Sequence, residues 1–108
     1  MNNQTFNIQQ GTVTFWVKKN KVRYNDNKVI VFLDMNNKEG KVSLAKDTNN
    51  QLRFLYSVEG RTRTELKHDI SSLSPQDDHM FGITWSIDSK EIILYIDGVS
   101  VAKTSIGY

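Results

Sequence analysis

The side chains with the chemistry to act on a ligand are few and scattered. Glu39, Glu59, Glu65 and Glu91 are isolated from one another along the chain. Retaining glycoside hydrolysis needs two carboxyl groups about 5–5.5 Å apart, one as nucleophile and one as acid/base, and alternate acids on one strand supply that spacing. No such run occurs, so the chain is not expected to be an enzyme. Asp77-Asp78-His79 is the densest titratable group. Sequence neighbours on a strand point to opposite sides, and the pattern places no serine or third ligand beside them. His79 therefore reads as a strand start that hydrogen-bonds locally, and His68 as a strand end. With no cysteine in the chain, disulfides, thiolate metal sites and thiol nucleophiles are excluded. No glycine-rich loop of the phosphate-cradling kind is present.

Binding chemistry is better represented. Trp16, Tyr56 and Tyr95 alternate with apolar neighbours in ways that leave their faces open. Outward aromatics on a sheet stack on sugar rings or anchor a protein partner, and they equally serve to cover the sheet. Arg53, Arg61 and Arg63 offer directional donors to carboxylate or sulfate groups, or form a solvated strand face. These six residues are the candidate ligand-binding set. Lys18, Lys19, Lys21 and Arg23 form the one local basic cluster. It reads as a solvated loop after a strand, with a phosphate or acidic-glycan contact as the alternative.

The formal net charge of +2 is spread along the chain, which is not the footprint of a nucleic-acid binder. No apolar run approaches the roughly 20 residues of a membrane helix, so no membrane insertion is expected. Met1 to Gln10 is polar and rich in Asn and Gln, unlike a signal peptide. A mature domain cut from a secreted precursor is compatible with this, and Asn3-Gln4-Thr5 matches the glycosylation sequon.

The elements that must position these residues are strands. A length of 108 residues with 38% apolar residues fits one domain around one core. Runs rich in Val, Ile, Thr and aromatics cover 12–18, 28–35, 41–46, 51–57, 61–67, 80–87, 91–97 and 99–105. Short polar connections separate them, and Asp97-Gly98 is the strongest hairpin signal, since a type I′ turn needs positive φ at both central residues. Residues 69–78 hold the only proline, Pro75, and read as a surface crossover between sheets with at most one helical turn. No long segment has a helical period. The expectation is an all-β, two-sheet antiparallel sandwich of eight or more strands, with residues 1–10 loose or forming an edge strand.

Alternation assigns faces. Val13, Phe15 and Val17 turn inward, opposite Thr12, Thr14, Trp16 and Lys18. Phe81, Ile83, Trp85 and Ile87 turn inward, as do Ile92, Leu94 and Ile96, with Ile93 and Tyr95 outward. Arg61, Arg63, Glu65 and Lys67 share a face of the fifth run. The second run, apolar on both sides, is expected in the middle of a sheet.

Two stretches carry a family likeness. His79-Met80-Phe81-Gly82-Ile83-Thr84-Trp85-Ser86, followed by Glu91-Ile92-Ile93-Leu94-Tyr95-Ile96-Asp97-Gly98-Val99, resembles the laminin-G-like, pentraxin-like branch of the concanavalin A-like lectin/glucanase superfamily. Gly11 to Lys18 is similar to that family's early strand, and Leu52 to Tyr56 to its middle hairpin. The resemblance implies a jelly-roll sandwich and a carbohydrate- or protein-binding module, often extracellular and often calcium-binding. It also implies that the first and sixth strands are neighbours, because the positions matching a family cysteine pair are Thr14 and Gly82. Trp16 is then expected to cover Gly82. The chain is short for the family, and it lacks both the cysteine pair and an obvious calcium-ligand cluster. The expected function is a non-enzymatic module that binds carbohydrate or a protein surface through the concave sheet face or rim loops. The alternative is an assembly module that forms a homo-oligomer through an open sheet edge.

Overall fold

The computed structural model describes residues 6–107. The Asn3-Gln4-Thr5 sequon lies outside them. Eight strands follow in chain order: β1 (Gln10–Val17), β2 (Ile30–Asn37), β3 (Gly40–Lys46), β4 (Gln51–Val58), β5 (Thr64–Asp69), β6 (His79–Ser86), β7 (Glu91–Ile96) and β8 (Val99–Ser105). They form two four-stranded sheets, β1-β6-β7-β8 and β2-β3-β4-β5, with antiparallel pairing throughout. Among the described residues the chain changes sheet twice, through 18–29 and through 70–78. The second connection is the expected crossover, built of turns without a helix.

The alternating faces close on each other as a jelly-roll sandwich. Val42, Leu44, Leu52, Phe54 and Tyr56 from one sheet meet Phe81, Ile83, Trp85, Ile92 and Leu94 from the other, nearly all without solvent exposure. Burying each such side chain stabilises the fold by about 1.5–3 kcal/mol. Phe15, Phe32 and Phe81 pack edge-on or tilted at 5.3–6.1 Å between ring centres. Contact between Phe15 and Phe32 places edge strands β1 and β2 on one flank, and β5 packs beside β8 on the other.

Three expectations need correction. β2 is an edge strand rather than a central one. A bulge between Val31 and Leu33 turns both Phe32 and Leu33 toward the core and leaves Val31 exposed; the bulge, not a covered outer face, explains the unbroken apolar run. β5 starts at Thr64, so Arg61 and Arg63 precede the strand instead of sharing a face with Glu65 and Lys67. Residues 6–9 form a turn docked on the sandwich end, not a strand. There Ile8 is buried, and the Asn7 and Ile8 carbonyls accept hydrogen bonds from Trp85 Nε1 and Tyr56 Oη.

Gly11 lies opposite Trp85 in the β1–β6 register. A Cβ on Gly11 would stand 2.3 Å from Trp85 Cζ2, so the indole packs directly on bare backbone.

Candidate functional site

On the outer face of β1-β6-β7-β8, alternation presents Thr12, Thr14 and Trp16 from β1, Met80, Gly82 and Thr84 from β6, and Ile93 and Tyr95 from β7. The β1–β6 register pairs Thr14 with Gly82 and Trp16 with Met80, and β6–β7 pairs Gly82 with Tyr95. The first and sixth strands are therefore neighbours, with Thr14 and Gly82 directly opposed, as the family likeness implies. Trp16, however, is not the residue over Gly82. The position of a Gly82 Cβ lies 3.3 Å from Thr14 Cγ2 and 3.5 Å from Tyr95 Cβ, so Thr14 and Tyr95 flank the glycine. Trp16 stands one pair further along and is 61% exposed.

The missing side chain at Gly82 leaves a shallow depression of about 260 Å³, lined by Thr12, Thr14, Met80, Gly82, Ile83, Thr84, Tyr95 and Gly98. Its chemistry is an aromatic ring, a thioether and three threonines, with no charged side chain. The surface it exposes is apolar, with the Thr14 Cγ2 methyl and Tyr95 Cβ turned toward Gly82, and it suits the apolar face of a neutral ligand.

The other candidates separate from this face. Tyr56 is fully buried, with its hydroxyl bonded to the Ile8 carbonyl. It is a core residue and touches no external ligand, because β4 alternation sends it inward with Leu52 and Phe54. Arg53 donates to Glu65 across β4 and β5, through Nε at 2.8 Å and Nη2 at 2.5 Å, so its fork is committed within the sheet. Arg61 and Arg63 line a cleft of about 770 Å³ between residues 60–65 and the segment 104–107 at the end of β8. In the basic loop, Lys18 pairs with Asp78 at 3.3 Å and the Lys19 amide donates to the same carboxylate at 2.8 Å. That backbone hydrogen bond, reinforced by Lys18, holds the Asp78 carboxyl below its ordinary range.

His79 is buried and takes an acceptor on each ring nitrogen: the Asp97 carboxylate on Nδ1 at 2.8 Å and the Ser74 carbonyl on Nε2 at 2.8 Å. Both contacts are donations only when the ring is an imidazolium. Burial alone would push the His79 pKa down; the Asp97 and Ser74 hydrogen bonds and the charges of Asp97 and Asp77 outweigh it, and the pKa rises. For Asp97, burial acts upward, but the bonds from His79 and the Met80 amide and the His79 charge hold it below its ordinary value. Tyr24 from the 18–29 connection closes this end, edge-on to His79 at 5.6 Å. The unit is a brace. His79 ties the crossover to the β7–β8 turn, where Asp97 and Gly98 adopt positive φ of 53° and 82°. His79 at the start of β6 and Asp97-Gly98 after β7 thus form one structural feature, and the β6–β7 pairing was the signal that could have joined them.

Lys46 was not singled out by its sequence. It is completely buried at the end of β3, where Nζ reaches Asp26 Oδ1 at 2.6 Å, the Lys28 carbonyl at 2.5 Å and Asn50 Oδ1 at 3.2 Å. Three acceptors for three N–H donors is full satisfaction. The Lys46 hydrogen bond and the Lys28 amide hold the Asp26 carboxyl below its ordinary value. Alternation with Val42 and Leu44 marks Lys46 as inward, and its charge hides that pattern.

The acidic residues do not fit the calcium that the family likeness implies. Calcium takes about six to eight oxygen ligands, whereas among the described residues no three His, Asp or Glu side chains converge. Nor do the glutamates meet in an enclosed site: Glu39 and Glu59 are exposed on adjacent turns, Glu65 pairs with Arg53, and Glu91 lies 4.0 Å from Lys103. No helix among the described residues is long and apolar enough to cross a membrane.

Comparison with solved structures finds the same fold in the binding domain of botulinum neurotoxin serotype D, with a TM-score of 0.70 at 19% identity. The match covers 91% of this chain but only 24% of the toxin chain, so the protein spans about a quarter of that structure's length. Comparison with curated proteins finds no match. A laminin-G-type family model, described as the concanavalin A-like lectin/glucanases superfamily, matches residues 1–108. With the sandwich topology and the β1–β6 pairing, that match establishes that the chain belongs to the concanavalin A-like lectin/glucanases superfamily.

Proposed function

We propose that the protein is a non-enzymatic binding module that holds a neutral carbohydrate on the outer face of β1-β6-β7-β8. The observation that carries this reading is the depression over Gly82, flanked by Thr14 and Tyr95 with Met80 and the exposed Trp16 at one end. A pyranose ring carries an apolar face that packs on apolar surface beside an aromatic residue, which is the chemistry gathered there. Membership of a superfamily that includes lectins supports the reading, as does a structural neighbour that is itself named a binding domain. The scattered glutamates favour binding over hydrolysis.

A glycan array with wild-type protein, Trp16→Ala and Tyr95→Ala tests this. Neutral oligosaccharides are expected to bind the wild type and to lose at least tenfold in affinity with Tyr95→Ala. A blank array, or binding unchanged in both variants, refutes the site.

The flank of β1 and β2 favours a second reading, that the module self-associates edge to edge. Both strands are sheet edges, and Val29 just before β2 and Val31 within it are 63% and 62% exposed. Unpaired edge strands bearing apolar side chains invite strand addition. Sedimentation at high concentration decides it: a monomer throughout the range removes this reading.

A further inference from the structure

The cleft at the opposite flank has a different chemistry from the Gly82 depression. It is about 770 Å³, within the roughly 300–1,000 Å³ typical of ligand pockets. Gly60, Arg61, Thr62, Arg63, Thr64 and Glu65 line one side, and Thr104, Ser105 and Gly107 the other. Among the described residues that line it there is no large apolar side chain. Among the described residues that line it, the one carboxylate side chain is Glu65, and its Oε2 is bonded to Arg53. Arg63 makes no ion pair among the described residues, and the hydroxyls of Thr62, Thr64, Thr104 and Ser105 surround the same space. At Gly60 and Gly107, apart from their chain neighbours, nothing lies within 4 Å of where a Cβ would be.

From this we infer a second binding site, for the anionic group of an acidic saccharide. Arg63 supplies the planar fork that meets a carboxylate or sulfate bidentately. The surrounding hydroxyls supply donors and acceptors for the ring oxygens next to that group. Lys18 is a poorer choice for the same ligand, because its ammonium already pairs with Asp78. The site shares no lining residue with the Gly82 depression. It therefore stands or falls independently of the neutral-sugar site.

The test is a ¹H–¹⁵N NMR titration of the full chain with tetragalacturonate, a neutral galactose tetramer and inorganic sulfate, on wild type, Arg63→Gln and Trp16→Ala. Arg63 is exposed and outside the strands, so the folded spectrum of Arg63→Gln is expected to be retained. Tetragalacturonate is expected to shift residues 60–65 and 104–107. Its affinity is expected to fall at least tenfold in Arg63→Gln, to be unchanged in Trp16→Ala, and to weaken with added salt. The neutral tetramer should leave this cleft untouched, and sulfate should bind it more weakly than the charged tetramer. Four results would overturn the inference: no shifts at the cleft, shifts equal in Arg63→Gln, shifts confined to residues 18–25, or sulfate binding as tightly as the saccharide. Loss of neutral-sugar binding alone would count against the Gly82 face and leave this site standing.

Discussion

The His79–Asp97 brace makes a quantitative prediction about Asp97→Asn. The carboxylate receives two hydrogen bonds, from His79 Nδ1 at 2.8 Å and from the Met80 amide at 2.9 Å. Bonds to charged groups contribute about 1.5–3 kcal/mol when buried. The Asp97 side chain is 45% exposed, so solvent screens much of this. An amide retains the Met80 bond and weakens the His79 bond, for a loss of about 1–2 kcal/mol. In a domain of this size that lowers Tm by about 4–8 °C for each kcal/mol. The pH dependence is more discriminating. The His79 pKa is raised in the folded state, so its contribution is complete below about pH 6.5, its unfolded value. That contribution is lost as pH rises through the folded-state pKa. The Asp97 pKa is depressed, so its contribution is present above about pH 4 and lost as pH falls through its folded-state value. Wild-type stability should therefore decline on the alkaline side of pH 6.5, and Asp97→Asn should flatten that decline. Urea denaturation followed by tryptophan fluorescence from pH 4.5 to 9 measures both. Wild-type stability that rises between pH 6.5 and 8, or an alkaline decline of the same slope in Asp97→Asn, would refute the reasoning.

Further substitutions probe the rest of the framework. Lys46→Met removes the ammonium from the Asp26 carboxylate, the Lys28 carbonyl and Asn50 Oδ1 and should destabilise by about 2–4 kcal/mol in chemical denaturation. Gly11→Ala drives a methyl into the Trp85 ring and should lose about 1–3 kcal/mol by the same assay. Tyr56→Phe strips the Ile8 carbonyl of its donor and should lower stability by about 1–2 kcal/mol without altering glycan binding. Trp16→Ala should stay within about 0.5 kcal/mol of wild type, since the ring is largely exposed.

Much of the fold was legible because strand alternation is strict wherever one face is buried. Val13, Phe15 and Val17, the inward set of β6 and that of β7 all lie where a period of two puts them. The Asp97-Gly98 turn is likewise written in residues that tolerate positive φ. Misreadings arose where local pattern and tertiary placement part company. The Val31–Leu33 bulge breaks alternation and made an edge strand look central. Arg61 and Arg63 continue an alternating pattern that the chain abandons before Thr64. Of the candidate site, the sequence offered residue types but not their assembly. Tyr56 looked like Tyr95 until its hydroxyl found the Ile8 carbonyl, 48 residues away. The Gly82 depression depends on Thr14 and Tyr95 meeting from separate strands, which only the register reveals. Lys46 and Asp26 are likewise joined by the fold, across the β2–β3 hairpin.

The most direct test of the binding account is NMR mapping of a neutral oligosaccharide selected on the array. The account predicts saturable shifts at Thr12, Thr14, Met80, Gly82, Thr84 and Tyr95, abolished by Tyr95→Ala while the spectrum of the folded core is retained. Shifts confined to β2 and its flank, or no shift with any neutral glycan, would contradict it.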